Sequence, residues 1–145
     1  MSITKKDVLP WLMEKAPGFE ESWRKHLEWW GEKERGDFND IAEFAQYVVD
    51  SYASGKTSEL PGVFASVEQV LEDGDASAKE LAVIGVLEDI QTIASHQPFG
   101  ANAFVRWLGP LSREAWTEID KLWRAGGGSL AGVLRVEKQL RSKPK

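Results

Sequence analysis

The residues of this chain best suited to chemistry are Asp89, His96 and Arg113. Asp89 and His96 stand seven residues apart, which brings them near one face of a helix, with Glu88, Thr92 and Ser95 around them. A carboxylate beside an imidazole is the arrangement of a general acid–base pair. Arg113, beside Ser112 at the expected start of a later helix, could meet an anion there. Together they describe a small enzyme or ligand-binding domain with a cleft at the end of the fifth helix. The competing reading is structural, because an imidazole near a helix C-terminus is favoured by the helix dipole and can cap the last carbonyls.

Other chemistry finds less support. His26, the only other histidine, falls on a different helix, and neither histidine sits in a His-Glu-x-x-His or Glu-x-x-His run. Asp37, Asp40 and Glu43 recur at i, i+3 and i+6 and could hold a hard cation, but a dedicated site takes more oxygen ligands. Exposed helix surface is the expectation there, with no metal. The run Gly126-Gly127-Gly128-Ser129 lacks the Gly-x-x-x-x-Gly-Lys-[Ser/Thr] pattern and reads as a hinge. Gly-x-Ser-x-Gly is absent, and no cofactor is implied. With no cysteine in the chain, disulfides, thiolate ligands and a cysteine nucleophile are excluded.

Charge and tryptophan stand out instead. Between Asp37 and Asp89 twelve carboxylates face two lysines, a net charge of −10, whereas Ser129 to Lys145 carries five basic residues against one acid, +4. An acidic body repels phosphate backbones and speeds encounter with basic proteins, so a basic protein is the expected partner and nucleic acid is not. Seven of 145 residues are tryptophan. Trp23, Trp30, Trp116 and Trp123 lie on apolar faces and belong to a core, while Trp11 and Trp107 are ambiguous. Trp29, adjacent to Trp30, must point about 100° away from it on a helix. Tryptophan is a favoured interface anchor. These features select Trp29, Asp37, Asp40, Glu43, Glu72, Asp73 and Asp75 as a partner-binding set, on a small acidic interaction module of inhibitor or immunity type.

The elements that must position these residues are helices. Apolar residues recur at helical spacing almost throughout, and strand-like alternation never lasts four residues. The pattern predicts an all-α fold, an irregular bundle or short right-handed superhelix of seven to eight helices. Thr4 with Asp7 opens the first, which Pro10 bends or delays. Phe19, Trp23, Leu27 and Trp30 mark the second, and Phe38, Ile41, Phe44, Ala45, Val48 and Tyr52 the third. The fourth and fifth, joined at Asp73-Gly74-Asp75, resemble a HEAT-like hairpin. The fifth, from about Ala76 to Ser95, is apolar over a wide arc and therefore central, and its Gly85 would let a neighbour approach closely. A short helix follows from Asn102 to Leu108, and Ser112 can cap the next. Residues 1–125 thus form one helical domain, 126–129 a hinge, and 130–145 a basic helix and tail. No stretch approaches the ~18 apolar residues of a membrane span, and Met1 to Asp7 lack a signal-peptide core, so a cytoplasmic location without a membrane is expected.

Two segments carry a resemblance: Leu87-Glu88-Asp89-Ile90-Gln91 through Ala94-Ser95-His96, and Leu108-Gly109-Pro110-Leu111-Ser112-Arg113-Glu114-Ala115-Trp116. Following an acidic two-helix stretch, they resemble a bacterial all-helical domain family of unknown function. The similarity extends from the first helix to about Trp123 and leaves the chain from Gly126 onward outside it. The resemblance implies an all-helical bacterial cytosolic protein and transfers no catalytic residue.

Overall fold

Helix α1 (Lys5–Lys15) starts at the expected cap, where the backbone N–H and the hydroxyl of Thr4 both donate to Asp7 Oδ2 at 2.9 Å. Pro10 neither delays nor ends it but sits inside, leaving the Lys6 carbonyl without its intrahelical donor. In the computed structural model that describes residues 3–124, the side chain of Trp123 excepted, every regular element is helical. The hinge at 126–129 and the basic segment 130–145 lie outside the described residues.

A 3-10 turn (Pro17–Phe19) leads into α2 (Glu20–Trp30), which stops at Gly31, whose φ of +59° a glycine adopts without strain. Then come α3 (Asp37–Ala53) and α4 (Leu60–Asp73), the latter with Pro61 in its first turn where no N–H is needed. Gly74 turns the chain into α5 (Ala76–Glu80), capped by Asp75 Oδ1 on the Ala78 N–H at 2.8 Å. From α5 the helix continues without a break through a π-helical stretch (Leu81–Leu87) into α6 (Glu88–Ser95). A 3-10 helix (Ala101–Trp107) and α7 (Pro110–Arg124) complete the described bundle.

The wide apolar arc of the fifth predicted helix has its physical reason in that π stretch. There the Glu88 N–H reaches back five residues to the Val83 carbonyl, and Leu81, Ala82, Ile84, Gly85, Val86 and Leu87 are all buried. The π stretch and α6 pack chiefly on α3, so the expected central position is observed. A Cβ at Gly85 would lie 2.8 Å from Ile41 Cγ2, which makes Gly85 the point of closest approach to α3, as its sequence position foretold. Tyr52 closes the end of α3 against the 3-10 helix, with Phe104 at 5.1 Å and Trp107 lying parallel to Phe64 at 6.1 Å.

The two segments that carry the family resemblance meet in space. Gln91 of α6, buried, donates from Nε2 to the Trp116 carbonyl of α7 at 3.0 Å. The start of α7 differs from expectation, because Ser112 lies inside the helix and caps nothing. Its N–H and hydroxyl, with the Leu111 N–H, instead donate to the Glu68 carboxylate of α4 at 2.9, 2.8 and 3.0 Å. Burial acts to raise the pKa of Glu68, but these bonds outweigh it and hold the carboxyl below its usual value. A Cβ on Gly109 would sit 2.5 Å from Glu68 Oε1, so a larger residue there would push the carboxylate away from its donors. Glu68 thus docks Leu111 and Ser112 of α7 on α4.

Candidate functional site

Helices α2 and α3 hold most of the polar arrangement. The expected apolar stripe of α2 is broader and centred differently: Phe19 is buried, Trp23, Leu27 and Trp30 are half-buried, and the residue turned fully inward is His26, 8% exposed. Trp23 stacks on the imidazole at 5.5 Å, and Trp30 meets it edge-on at 6.3 Å. An imidazole can be buried there because Asp40 reaches it from α3. Asp40 Oδ1 accepts from His26 Nε2 at 2.9 Å and from Arg35 Nε at 2.9 Å, and its side chain is only 14% exposed. Glu43 Oε2 stands 3.9 Å from the other imidazole nitrogen. Sequence reasoning set His26 aside for want of a metal-ligand spacing, and the partner it has in the structure lies fourteen residues on, across a loop.

One helical turn further along α3 opens a cleft of about 740 Å³ between α2, α3 and the 54–59 connection. Glu43, Asp50 and Glu59 line it with Ser22, Ser51, Ser54, Thr57, Ser58 and Tyr47, and among the described residues Lys56 is its one cation. The Tyr47 hydroxyl donates to Glu59 Oε1 at 2.5 Å, and the Gly18 N–H donates to Glu59 Oε2 at 2.9 Å. Burial, then the bond to Glu59, pushes the Tyr47 phenol above its usual range and keeps it a donor. Such a lining accepts hydrogen bonds from an ammonium or guanidinium group. Asp50 and Glu59 were counted in the acidic stretch but not selected; the signal for Asp50 was its i+7 spacing from Glu43.

Trp29 is 78% exposed and touches Trp30 edge-on at 5.4 Å, pointing away from the core as adjacency to Trp30 required. It lies seven residues after Ser22, hence on the same face of α2 as the rim of the acidic cleft. The remaining members of the expected set are dispersed. Asp37 pairs with Lys5 at 3.3 Å. Glu72, Asp73 and Asp75 are exposed around the α4–α5 turn and line none of the cleft. Asp73 accepts from Gln69, Asp75 caps α5, and the Ile3 backbone bonds on both sides of Gly74.

Asp89 and His96 belong to α6 and its end, and Arg113 to α7. Asp89 is half-buried in the first turn of α6, and His96 is exposed as the residue that caps its end. The Arg113 guanidinium donates to the carbonyls of Leu108 and Val105, fastening the 3-10 helix to α7. None of the three lines the α2–α3 cleft. Among the described residues no group of three or more acids and histidines is placed to hold a metal ion, and no helix is long and apolar enough to cross a membrane.

Residues 9–124 match the model of a family described as a domain of unknown function (DUF7674), and the chain belongs to that family. The match spans both segments that carry the resemblance. No curated protein and no solved structure matches the chain.

Proposed function

From membership of this helical family and the geometry of α2 and α3, we propose that the protein is an acidic protein-interaction module that binds a basic protein partner through this face. The observation that carries the reading is Trp29, an indole left 78% exposed on the helix face that leads to a carboxylate-lined cleft. An exposed indole adds large contact area on burial, and tryptophan dominates interface energetics more often than its abundance warrants. Glu43, Asp50 and Glu59 supply seats for lysine or arginine side chains of the partner, and their field speeds its approach. Asp37, Asp40 and Asp75 serve the fold, so recognition concentrates on Trp29, Glu43, Asp50 and Glu59, with exposed Glu72 and Asp73 adding to the general field. An inhibitor or immunity-type protein of a reducing, cytosolic compartment is the class we infer, by analogy of size and charge.

The test is affinity capture of the tagged chain from its native host at low and moderate salt, with co-purifying proteins identified by mass spectrometry. A stoichiometric basic protein, released as salt rises and lost with Trp29→Ala, is the expected result. A partner retained in full by Trp29→Ala combined with Glu43→Lys would overturn the assignment of this face.

A further inference from the structure

A second concavity, of about 530 Å³, lies where α1, α2 and α3 converge, independent of the acidic cleft. Its walls are apolar: Leu9 and Met13 of α1, Trp23 of α2, Ile41 of α3 and Leu81 of the π stretch. At one end stand Lys5, Lys6, Arg35, Asp37 and Asp40. Two of the carboxylates are already spent, Asp37 on Lys5 and Asp40 on both His26 and Arg35. Arg35 is not spent. Its Nε is fixed on Asp40 Oδ1 at 2.9 Å and its guanidinium carbon lies 5.6 Å from the Trp23 ring centroid. Its two terminal amino groups make no hydrogen bond among the described residues. Lys6 is exposed and forms no ion pair there. The third acid, Glu14, follows Lys6 by eight residues, about 12 Å along α1, and so marks the opposite end.

A planar guanidinium held by its inner nitrogen and an aromatic face, with its outer fork open, is prepared for bidentate recognition of an anion. The apolar trough beyond it suits a hydrocarbon body. We propose that this cavity is a binding site for a small amphipathic carboxylate, its head on Arg35 and Lys6 and its apolar chain along Leu9, Met13 and Trp23. His26 and Asp40 act as positioning residues that hold the guanidinium in place.

The experiment is an NMR titration of the full chain with octanoate, octan-1-ol and octylamine, following the tryptophan indole N–H signals, with those of Trp23 and Trp29 assigned by Trp23→Phe and Trp29→Phe. Octanoate should move the Trp23 signal saturably and leave Trp29 still. Octan-1-ol should bind about tenfold or more weakly, because it forgoes the charge-assisted bonds. Arg35→Gln should abolish the preference for the carboxylate. If that variant fails to fold, Lys6→Glu, on an exposed side chain, should weaken octanoate and strengthen octylamine. Equal binding of octanoate and octan-1-ol, a preference for octylamine in the unaltered chain, or a Trp23 signal unmoved up to about 10 mM octanoate would each overturn the proposal.

Discussion

Replacing Glu68 by alanine removes the carboxylate that bonds the start of α7 to α4. That group accepts from the Leu111 N–H, the Ser112 N–H and the Ser112 hydroxyl at 3.0, 2.9 and 2.8 Å. Hydrogen bonds to a charged group contribute about 1.5–3 kcal/mol each, and loss of a helix cap alone costs about 0.5–2 kcal/mol. The three bonds share one carboxylate and are not additive, and Ser112 is fully buried, so its hydroxyl would be left without solvent. The expected cost of Glu68→Ala is therefore ~3 kcal/mol, a fall of about 10 °C in Tm for a domain of this size. Glu68→Gln keeps an acceptor oxygen and should cost less than half as much. Because the folded-state pKa of Glu68 lies below the usual 4.5, its contribution is complete above that value and is lost as pH falls through the lower folded value. Urea unfolding across the acid range should accordingly show a shallower loss of stability in Glu68→Gln than in the unaltered chain. A Glu68→Ala protein melting within about 2 °C of the unaltered one would refute the reasoning.

The remaining predictions concern the sites and the core. Trp29→Ala should change stability by no more than about 0.5 kcal/mol, since the indole is mostly in solvent, and a larger loss in thermal melts would mean that it packs. Asp40→Ala strips the acceptor from His26 and Arg35 together and should cost about 3 kcal/mol in urea unfolding, whereas equal stability would show that the cluster is not coupled. Gly85→Val should destabilise by about 1–3 kcal/mol, because its side chain would enter the space of Ile41, and a neutral result would contradict the close approach of α3. Tyr47→Phe should cost about 1 kcal/mol and release Oε1 of Glu59, leaving that seat a stronger acceptor, read as tighter binding of guanidinium-bearing peptides.

The helices were legible because each has a face to bury. Phe44 and Val48 of α3, and Val63, Phe64 and Val67 of α4, repeat at helical spacing and are all buried. Gly85 was legible too, since a glycine inside an apolar helix has few other purposes. What the sequence hid were the polar contacts that only tertiary structure makes. Glu68 meets Ser112 across 44 positions, and no local rule distinguishes it from the exposed acids around it. His26 and Asp40 belong to two helices and are joined only after the chain turns at Gly31 and Gly36. Counting charge along the chain placed Asp37, Asp40 and Glu43 together, but one is paired at the surface, one is inside, and only Glu43 reaches the cleft. The net charge of a stretch gives the field around it, not the position of a site.

The most direct test of the α2–α3 face as the docking surface is photo-crosslinking with a benzophenone amino acid at position 29, and for comparison at position 111, an exposed site on α7. In lysate of the native host at low salt, position 29 should capture one basic protein, less of it as salt rises, while position 111 captures none. Capture of the same protein from position 111 but not from 29 would contradict the assignment.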